Sequence, residues 1–302
     1  MDRVSAAPVL FLLSCFFGMV SGLLSNDFSE CKEFFYHGIP PQGITGQEYQ
    51  PICQKFKNKY RFATLYHRNH RVALYSAYKV SLLKETFEEE WMFEPQLNGE
   101  GNDAEMQPLK KSDTFDNQAS LQDYVESFYT KGHLAPKLHQ GTTDDKLATY
   151  TLTNIVPQRE GSNAGTWNNL EEEISKRKGS CTGEMYVITG TIPFESNSEA
   201  PSIFKKMNNK VYAPEYIWSA YCCTHFTEME GDVFPTYAAV GRNYPDSTND
   251  IVPKNPNVKG TTLGYDVKKM PLNDLEDILS KKLNIQSSSE KITLFYNDCK
   301  AN

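Results

Sequence analysis

One stretch, residues 129–174, constrains this chain more than any other. His133 sits in a Gly-His-Leu-Ala-Pro turn. Asn163 stands just before an amphipathic segment in which Trp167, Leu170 and Ile174 recur at the i, i+3, i+7 spacing of a helix packed on a sheet. Glu171 follows Asn163 by eight residues, about two turns, and so can share its side of the helix. Between them, residues 147–156 are rich in β-branched side chains and bounded by Pro157. That composition predicts a strand. The order is then a strand end bearing His, a loop, a strand, Asn, and a helix predicted over 165–176.

Hydrolytic chemistry needs a base, charge neutralisation and a stabilised leaving group. An imidazole near its ordinary pKa of about 6.5 can take a proton from water at neutral pH, which makes His133 the candidate base. An amide oxygen and a carboxylate suit Mg2+ or another hard divalent cation such as Mn2+, which binds oxygen and keeps several waters. Asn163 is the candidate direct ligand. Glu171 would hold a water bound to the cation. Asn154 would orient the site or the His133 turn.

Three ordered pieces carry a resemblance: Thr130-Lys-Gly-His133, Asn154-Ile-Val-Pro-Gln158 and Asn163-Ala-Gly-Thr-Trp-Asn-Asn-Leu-Glu171. They resemble the Asp-Arg-Gly-His, Asn-Ile-x-Pro-Gln and Asn-x-Gly-x-Trp-x-x-Leu-Glu motifs of the DNA/RNA non-specific endonucleases. Phe62–Tyr66, Tyr75–Tyr78 and Trp91–Leu97 are similar to the secreted animal branch of that family, the endonuclease domain-containing 1 proteins. The likeness spans most of residues 28–299. It implies an α+β fold with a ββα-metal (His-Me finger) nuclease core, a mainly antiparallel central sheet, and flanking helices and long loops. It also implies a metal-dependent hydrolase acting on DNA and RNA through their phosphates, with catalytic residues His133, Asn163, Glu171, Asn154 and Lys131.

The first motif departs from the family. Lys131 replaces Arg and Thr130 replaces Asp. Lysine is a point charge and cannot make arginine's bidentate fork to phosphate, so weakened activity is expected. The family's upstream arginine is not evident: Glu88-Glu-Glu90 precede Trp91, an acidic run that repels phosphate wherever it faces the cleft. The second reading is therefore a nuclease-fold module that binds nucleic acid or protein with little or no catalysis. A serine hydrolase has no Gly-x-Ser-x-Gly to rest on.

Arg3 followed by the apolar run 9–20 and Val20-Ser-Gly22 predicts a secretory signal peptide over 1–22. A single endonuclease-like unit is expected over 23–302, secreted, with no membrane span in the mature chain. Beyond the leader, Cys31, Cys53, Cys181, Cys222, Cys223 and Cys299 form an even set, which in an oxidising compartment predicts three disulfides. Cys31–Cys53 is the favoured pair as the nearest non-adjacent one. Adjacent Cys222 and Cys223 point to opposite faces of a strand and require different partners. The absence of any Cys-x-x-Cys argues against zinc.

The net charge of −7 is the opposite of the usual nucleic-acid footprint, so any binding surface must be local. The candidate is 55–71, where Lys55, Lys57, Lys59, Arg61, Arg68 and Arg71 interleave with aromatic residues. A hairpin around residues 67–70 is predicted, with Arg61, Arg68 and Arg71 as candidate phosphate contacts. Strands are predicted over 184–192, 211–223, 234–240 and 292–296, and a helix after Pro271. Residues 28–53, 98–118 and 194–210 read as irregular.

Overall fold

The computed structural model describes residues 27–99, 103–110, 113–227, 233–248, 251–283 and 291–300. The leader expected over 1–22 lies outside the described residues. Seven strands form one sheet: β1 Tyr49–Phe56, β2 Lys59–His67, β3 Val72–Lys79, β6 Met185–Pro193, β7 Pro214–Cys223, β8 Thr236–Arg242 and β9 Val267–Met270. Every pairing is antiparallel, and the strands lie in chain order. The excursion between β3 and β6 carries a separate antiparallel pair, β4 Thr130–His133 and β5 Ile155–Gln158. It also carries helices α1 Thr143–Ala148 and α2 Trp167–Arg177. Helix α3, Leu272–Lys282, follows β9.

Strand alternation explains the two cores. In β7, which is buried along its whole length, Trp218 and Ala220 join Leu65, Leu74 and Ile188 on one face, covered by Leu272, Leu275 and Leu279 of α3. Ile217 and Tyr221 face the other way, onto Val156, Trp167, Leu170 and Ile174. The three helical positions read from the sequence all bury. Trp167 reaches the sheet because residue 241 is glycine: a Cβ there would lie 2.8 Å from the indole.

Three disulfides form, Cys31–Cys53, Cys181–Cys223 and Cys222–Cys299. The neighbouring pair on β7 does have separate partners, because its two side chains leave opposite faces.

Several expectations need correction. Residues 147–156 are not a strand. Leu147 and Ala148 end α1, a turn follows, and the strand is Ile155–Gln158 with Pro157 inside it. Helix α1 is nucleated by a capping box: the Thr142 hydroxyl accepts from Asp145 N, and the Asp145 carboxylate accepts from Thr142 N. Two aspartates in the first turn favour the same end. Pro157 is tolerated because a two-stranded pair has open edges.

Residues 292–296 are not a strand either. Thr293 makes only an isolated bridge to Gln42. Side chains of α3 take the neighbouring amides: Glu276 Oε1 accepts from Leu294 N at 2.8 Å, and Ser280 Oγ from Ile292 N at 3.0 Å. The arm over 28–53 becomes β1 from Tyr49, turning into β2 at Lys57 and Asn58, both at positive φ. Within 194–210 lie a short helix, Ser202–Lys205, and a two-residue strand, Lys206–Met207. That strand pairs with Val211–Tyr212, which Ala213 separates from β7.

Candidate active site

The β4–β5 hairpin holds the first two motifs in register, with Thr130 opposite Gln158, Lys131 opposite Pro157 and His133 opposite Ile155. Gly132 is required by close approach, since a Cβ there would come within 2.1 Å of Gln158 Oε1. Asn154 is fully buried and all four of its hydrogen-bonding positions are filled. Its Nδ2 donates to the carbonyls of Ala135 and Thr149, at 3.0 and 2.9 Å. Its Oδ1 accepts from Ala135 N at 2.9 Å and Ser76 Oγ at 3.0 Å. Asn154 thus clamps the turn after His133 and acts through position alone. Behind it a buried polar ladder crosses the sheet: Ser76 to Thr64 at 3.0 Å, and Gln54 Nε2 to both Thr64 at 3.1 Å and Thr153 at 2.8 Å.

His133 packs edge-on against Tyr150, centroids 4.8 Å apart, with Trp91 at 5.8 Å. Burial, and then the Lys137 charge, push its pKa down to about 4, so the imidazole is neutral at pH 7. The Lys131 carbonyl attracts a ring proton, while Nε2 is buried and meets no partner. The tautomer assigned on that ground carries its proton on Nδ1 and leaves the lone pair on Nε2.

Asn163 lies in a π turn, Ser162–Thr166, that leads into α2. Its Nδ2 donates to Thr130 Oγ1 at 2.9 Å, and the Thr130 hydroxyl donates on to the Gln158 carbonyl at 2.8 Å. The residue that departs from the family motif therefore orients Asn163. With the amide nitrogen used, the amide oxygen is left for a ligand.

Glu171 is partly buried on α2. Burial pushes its pKa up to about 8, and the Trp167 indole N–H beside it lowers that only slightly. The indole falls short of hydrogen-bond geometry, as its nitrogen is buried without a partner. No lysine or arginine pairs with Glu171 among the described residues. Its backbone carbonyl hydrogen-bonds His139 Nε2 at 2.8 Å, and His139 Nδ1 meets Tyr78 Oη at 3.0 Å. His139, six residues after His133, is thus a structural brace between α2 and β3.

These donors suit a hard divalent cation. Among the described residues the Asn163 amide oxygen meets no donor, and the partly buried Glu171 carboxyl meets no cationic side chain. Among the described residues no three His, Cys, Asp or Glu side chains gather into a cage.

Lys131 stands over the Trp91 ring at 5.6 Å and 5.9 Å from the Tyr124 ring, and it pairs with no carboxylate among the described residues. The basic hairpin differs. Arg61 is held by Asp145 at 2.8 Å and Asp144 at 3.4 Å. Arg68 donates to Gln50 Oε1, and Arg71 to the Asp116 and Lys210 carbonyls. The structure places Lys131 and His133 on the β4–β5 hairpin, Asn154 just before β5, Asn163 in the π turn that follows it, and Glu171 on α2. It gives Arg61, Arg68 and Arg71 partners of their own.

The sequence reading missed one part of the site. Glu89 accepts from Tyr150 Oη at 2.5 Å and from Lys137 Nζ at 3.0 Å, and Lys137 also donates to Tyr150 at 2.8 Å. Those hydrogen bonds hold the Glu89 carboxyl below its usual range. The acidic run does reach His133, but with its charge matched by Lys137. Nothing in the local sequence pairs residues 48 positions apart, although Lys137 lies within the His133 turn and could have been weighed.

Residues 44–245 match the sequence profile described as DNA/RNA non-specific endonuclease. The chain belongs to that family. Within the non-specific endonucleases it is similar to the human endonuclease domain-containing 1 protein, 30% identical over 236 residues, covering 73% of this chain and 44% of that protein. The mouse counterpart is 31% identical over 206 residues, covering 65% and 39%. The chain thus spans less than half the length of these two relatives. The zebrafish (Danio rerio) mitochondrial nuclease EXOG is 43% identical over 78 residues, 24% of this chain and 22% of that one. In three dimensions the chain is similar to a solved structure described as the EndoG/EndoGI complex. The TM-score is 0.50 at 14% identity, over 80% of this chain and 84% of that one, a likeness of fold.

Proposed function

We propose that this member of the family is a secreted, divalent-metal-dependent endonuclease that hydrolyses DNA and RNA without sequence preference, using one catalytic unit over 23–302. The observation that carries the proposal is a set of groups left uncommitted on the β4–β5 hairpin and the π turn that follows it. They are the His133 Nε2 lone pair, the Asn163 amide oxygen and the Lys131 ammonium. Buried polar atoms in folded chains are normally satisfied, so the unpartnered His133 Nε2, with an open amide oxygen and an ammonium on adjoining elements, points to a ligand.

In this reading Lys131 contacts the phosphate. His133 Nε2 takes a proton from water as the water oxygen bonds to phosphorus, and the bond to the leaving nucleotide's oxygen breaks. Asn163 Oδ1 would hold Mg2+ or a similar cation, with Glu171 reaching it through water. A bound cation supplies Lewis-acid neutralisation at the phosphate and the leaving oxygen. Thr130 keeps the Asn163 oxygen outward. An anionic phosphate near the imidazole raises its pKa from about 4 toward the range where a base works best. Three disulfides fit an oxidising compartment, and no helix among the described residues is long and apolar enough to cross a membrane.

Two observations favour the binding-module alternative. His133 Nε2 is shielded from solvent, and the Glu89 carboxylate stands beside the site. A plasmid-nicking assay on the disulfide-intact protein decides. Nicking with Mg2+ that is lost in chelator, and falls by about 10²–10⁴ in His133→Ala, is expected. No cleavage with Mg2+, Mn2+ or Ca2+ would hand the case to the alternative.

A further inference from the structure

Aromatic side chains beside the hairpin form a run that the hydrolytic chemistry does not use. Arg159 follows Gln158 at the end of β5, and its carbonyl accepts from Asn163 N at 2.8 Å. Its guanidinium lies 5.6 Å from the Phe128 ring, 5.8 Å from Tyr129 and 5.4 Å from Phe204. Nε donates to Tyr265 Oη at 3.3 Å, while Nη1 is buried with no acceptor. From this cation the rings continue in sequence. Phe128 to Phe204 is 5.5 Å, Phe204 to Tyr244 5.4 Å, and Tyr244 to Phe194 5.5 Å. Phe194 then lines a cavity of about 790 Å3 shared with Lys205, Lys281 and Lys282.

Packing alone does not explain the run. Phe128 is 57% exposed, and so is Ile203, at 55%, next in sequence to Phe204; grouped exposed apolar side chains mark interaction surfaces. Cations stand at both ends of the run, with Asp246 and Glu215 near Tyr244. Lys282 pairs with Glu195, but Lys205 and Lys281 pair with no carboxylate among the described residues. A run of partly exposed rings with cations at both ends suits unpaired nucleobases on a phosphate backbone. A duplex offers no such match, because its bases are stacked on one another.

We infer that Phe128, Phe204, Tyr244 and Phe194, with Arg159 at one end and Lys205 and Lys281 at the other, form a track for single-stranded DNA or RNA leading away from the His133 hairpin. The inference takes its ligand from the nuclease reading. Its test reads binding without metal, so the two can fail separately.

The test is fluorescence anisotropy of the disulfide-intact chain in chelator, with labelled oligo-dT, oligo-U and a duplex of equal length at fixed salt. Phe128→Ala and Tyr244→Ala should each weaken single-strand binding by about 5- to 150-fold, the range for one lost base stack, and leave the duplex affinity in place. Phe128→Leu, which keeps an apolar side chain at an exposed position, should lose as much as Phe128→Ala. Equal losses with oligo-dT and oligo-U support a shared base-stacking track. Unchanged single-strand affinity in both alanine variants overturns the track. Equal losses for single strand and duplex overturn its selectivity. Losses confined to single strands in a protein that never nicks plasmid would keep the track and sink the nuclease reading.

Discussion

Two hairpins in this molecule carry the candidate phosphate contacts, and they differ in whether those cations already have partners. The β2–β3 hairpin holds Arg61, Arg68 and Arg71, the denser cluster in the sequence. Arg61 is bound to Asp144 and Asp145, and the other two to Gln50 and backbone carbonyls. The much shorter β4–β5 hairpin has Lys131 alone, held only against aromatic rings. A count of the candidate contacts ranks these surfaces one way, and a count of those without a hydrogen-bond partner among the described residues ranks them the other. Phosphate responds to the second, because a paired arginine must first leave its carboxylate.

The largest effect that sharpens the contrast is at Asn163. Asn163→Ala should cut Mg2+-dependent turnover by about 10²-fold or more, at the upper end for a lost metal contact, and raise the Mg2+ needed for half-maximal rate. A metal titration checks this, and an unchanged midpoint would detach Asn163 from the cation. Next come the groups that work through it. Glu171→Gln and Thr130→Val should each cost about 10- to 100-fold. Thr130→Ser, which keeps the hydroxyl, should recover most of the loss.

The hairpins themselves are compared by salt dependence. Lys131→Ala should weaken nucleic-acid binding and lower the slope of log K against log salt by about one. Arg61→Ala should leave that slope alone and lower stability by about 1–3 kcal/mol through its lost charged hydrogen bonds. If Arg61→Ala flattens the slope and Lys131→Ala does not, the comparison is reversed.

The smallest effect is on acid stability, and both regions share it. His67, His70, His133 and His139 are all pushed to about 4 by burial. Between about 4 and the unfolded value near 6.5, the unfolded chain binds more protons than the folded one. Their contribution is therefore complete above about 6.5 and is lost as pH falls toward 4. Urea midpoints across that window should fall less steeply in His139→Gln than in the parent protein.

Much of this was legible in the sequence. The three motifs marked residues that the structure brings close together, and the helical spacing of Trp167, Leu170 and Ile174 located the helix face. Cysteine parity and adjacency gave three disulfides and separate partners for Cys222 and Cys223. The strand read over 147–156 failed because composition outweighed a local signal: Thr142 and Asp145 stand at capping-box spacing just upstream. The strand at 292–296 failed because its amides are taken by side chains of a helix, which no local pattern announces. Commitments over long sequence distances were equally hidden. Arg61 meets Asp145, 84 residues on, and Glu89 meets Lys137, 48 residues on. Local periodicity says which face a residue takes and nothing about who waits there.

The adjacent cysteines of β7 set an order of events for a chain made from its N-terminus. Cys181 can meet Cys223 once β6 and β7 have emerged, 42 residues apart. Cys222 must wait for Cys299, 77 residues further on and three residues from the end of this sequence. Until then its thiol is one position away from a neighbour already seeking a partner. A wrong bridge from Cys181 to Cys222 would turn β7 over and present its Trp218 face to the wrong core. Oxidation that outruns synthesis therefore traps the chain. Its yield from any expressing cell should depend on an enzyme that reopens early bridges, more than on the stability of the finished fold.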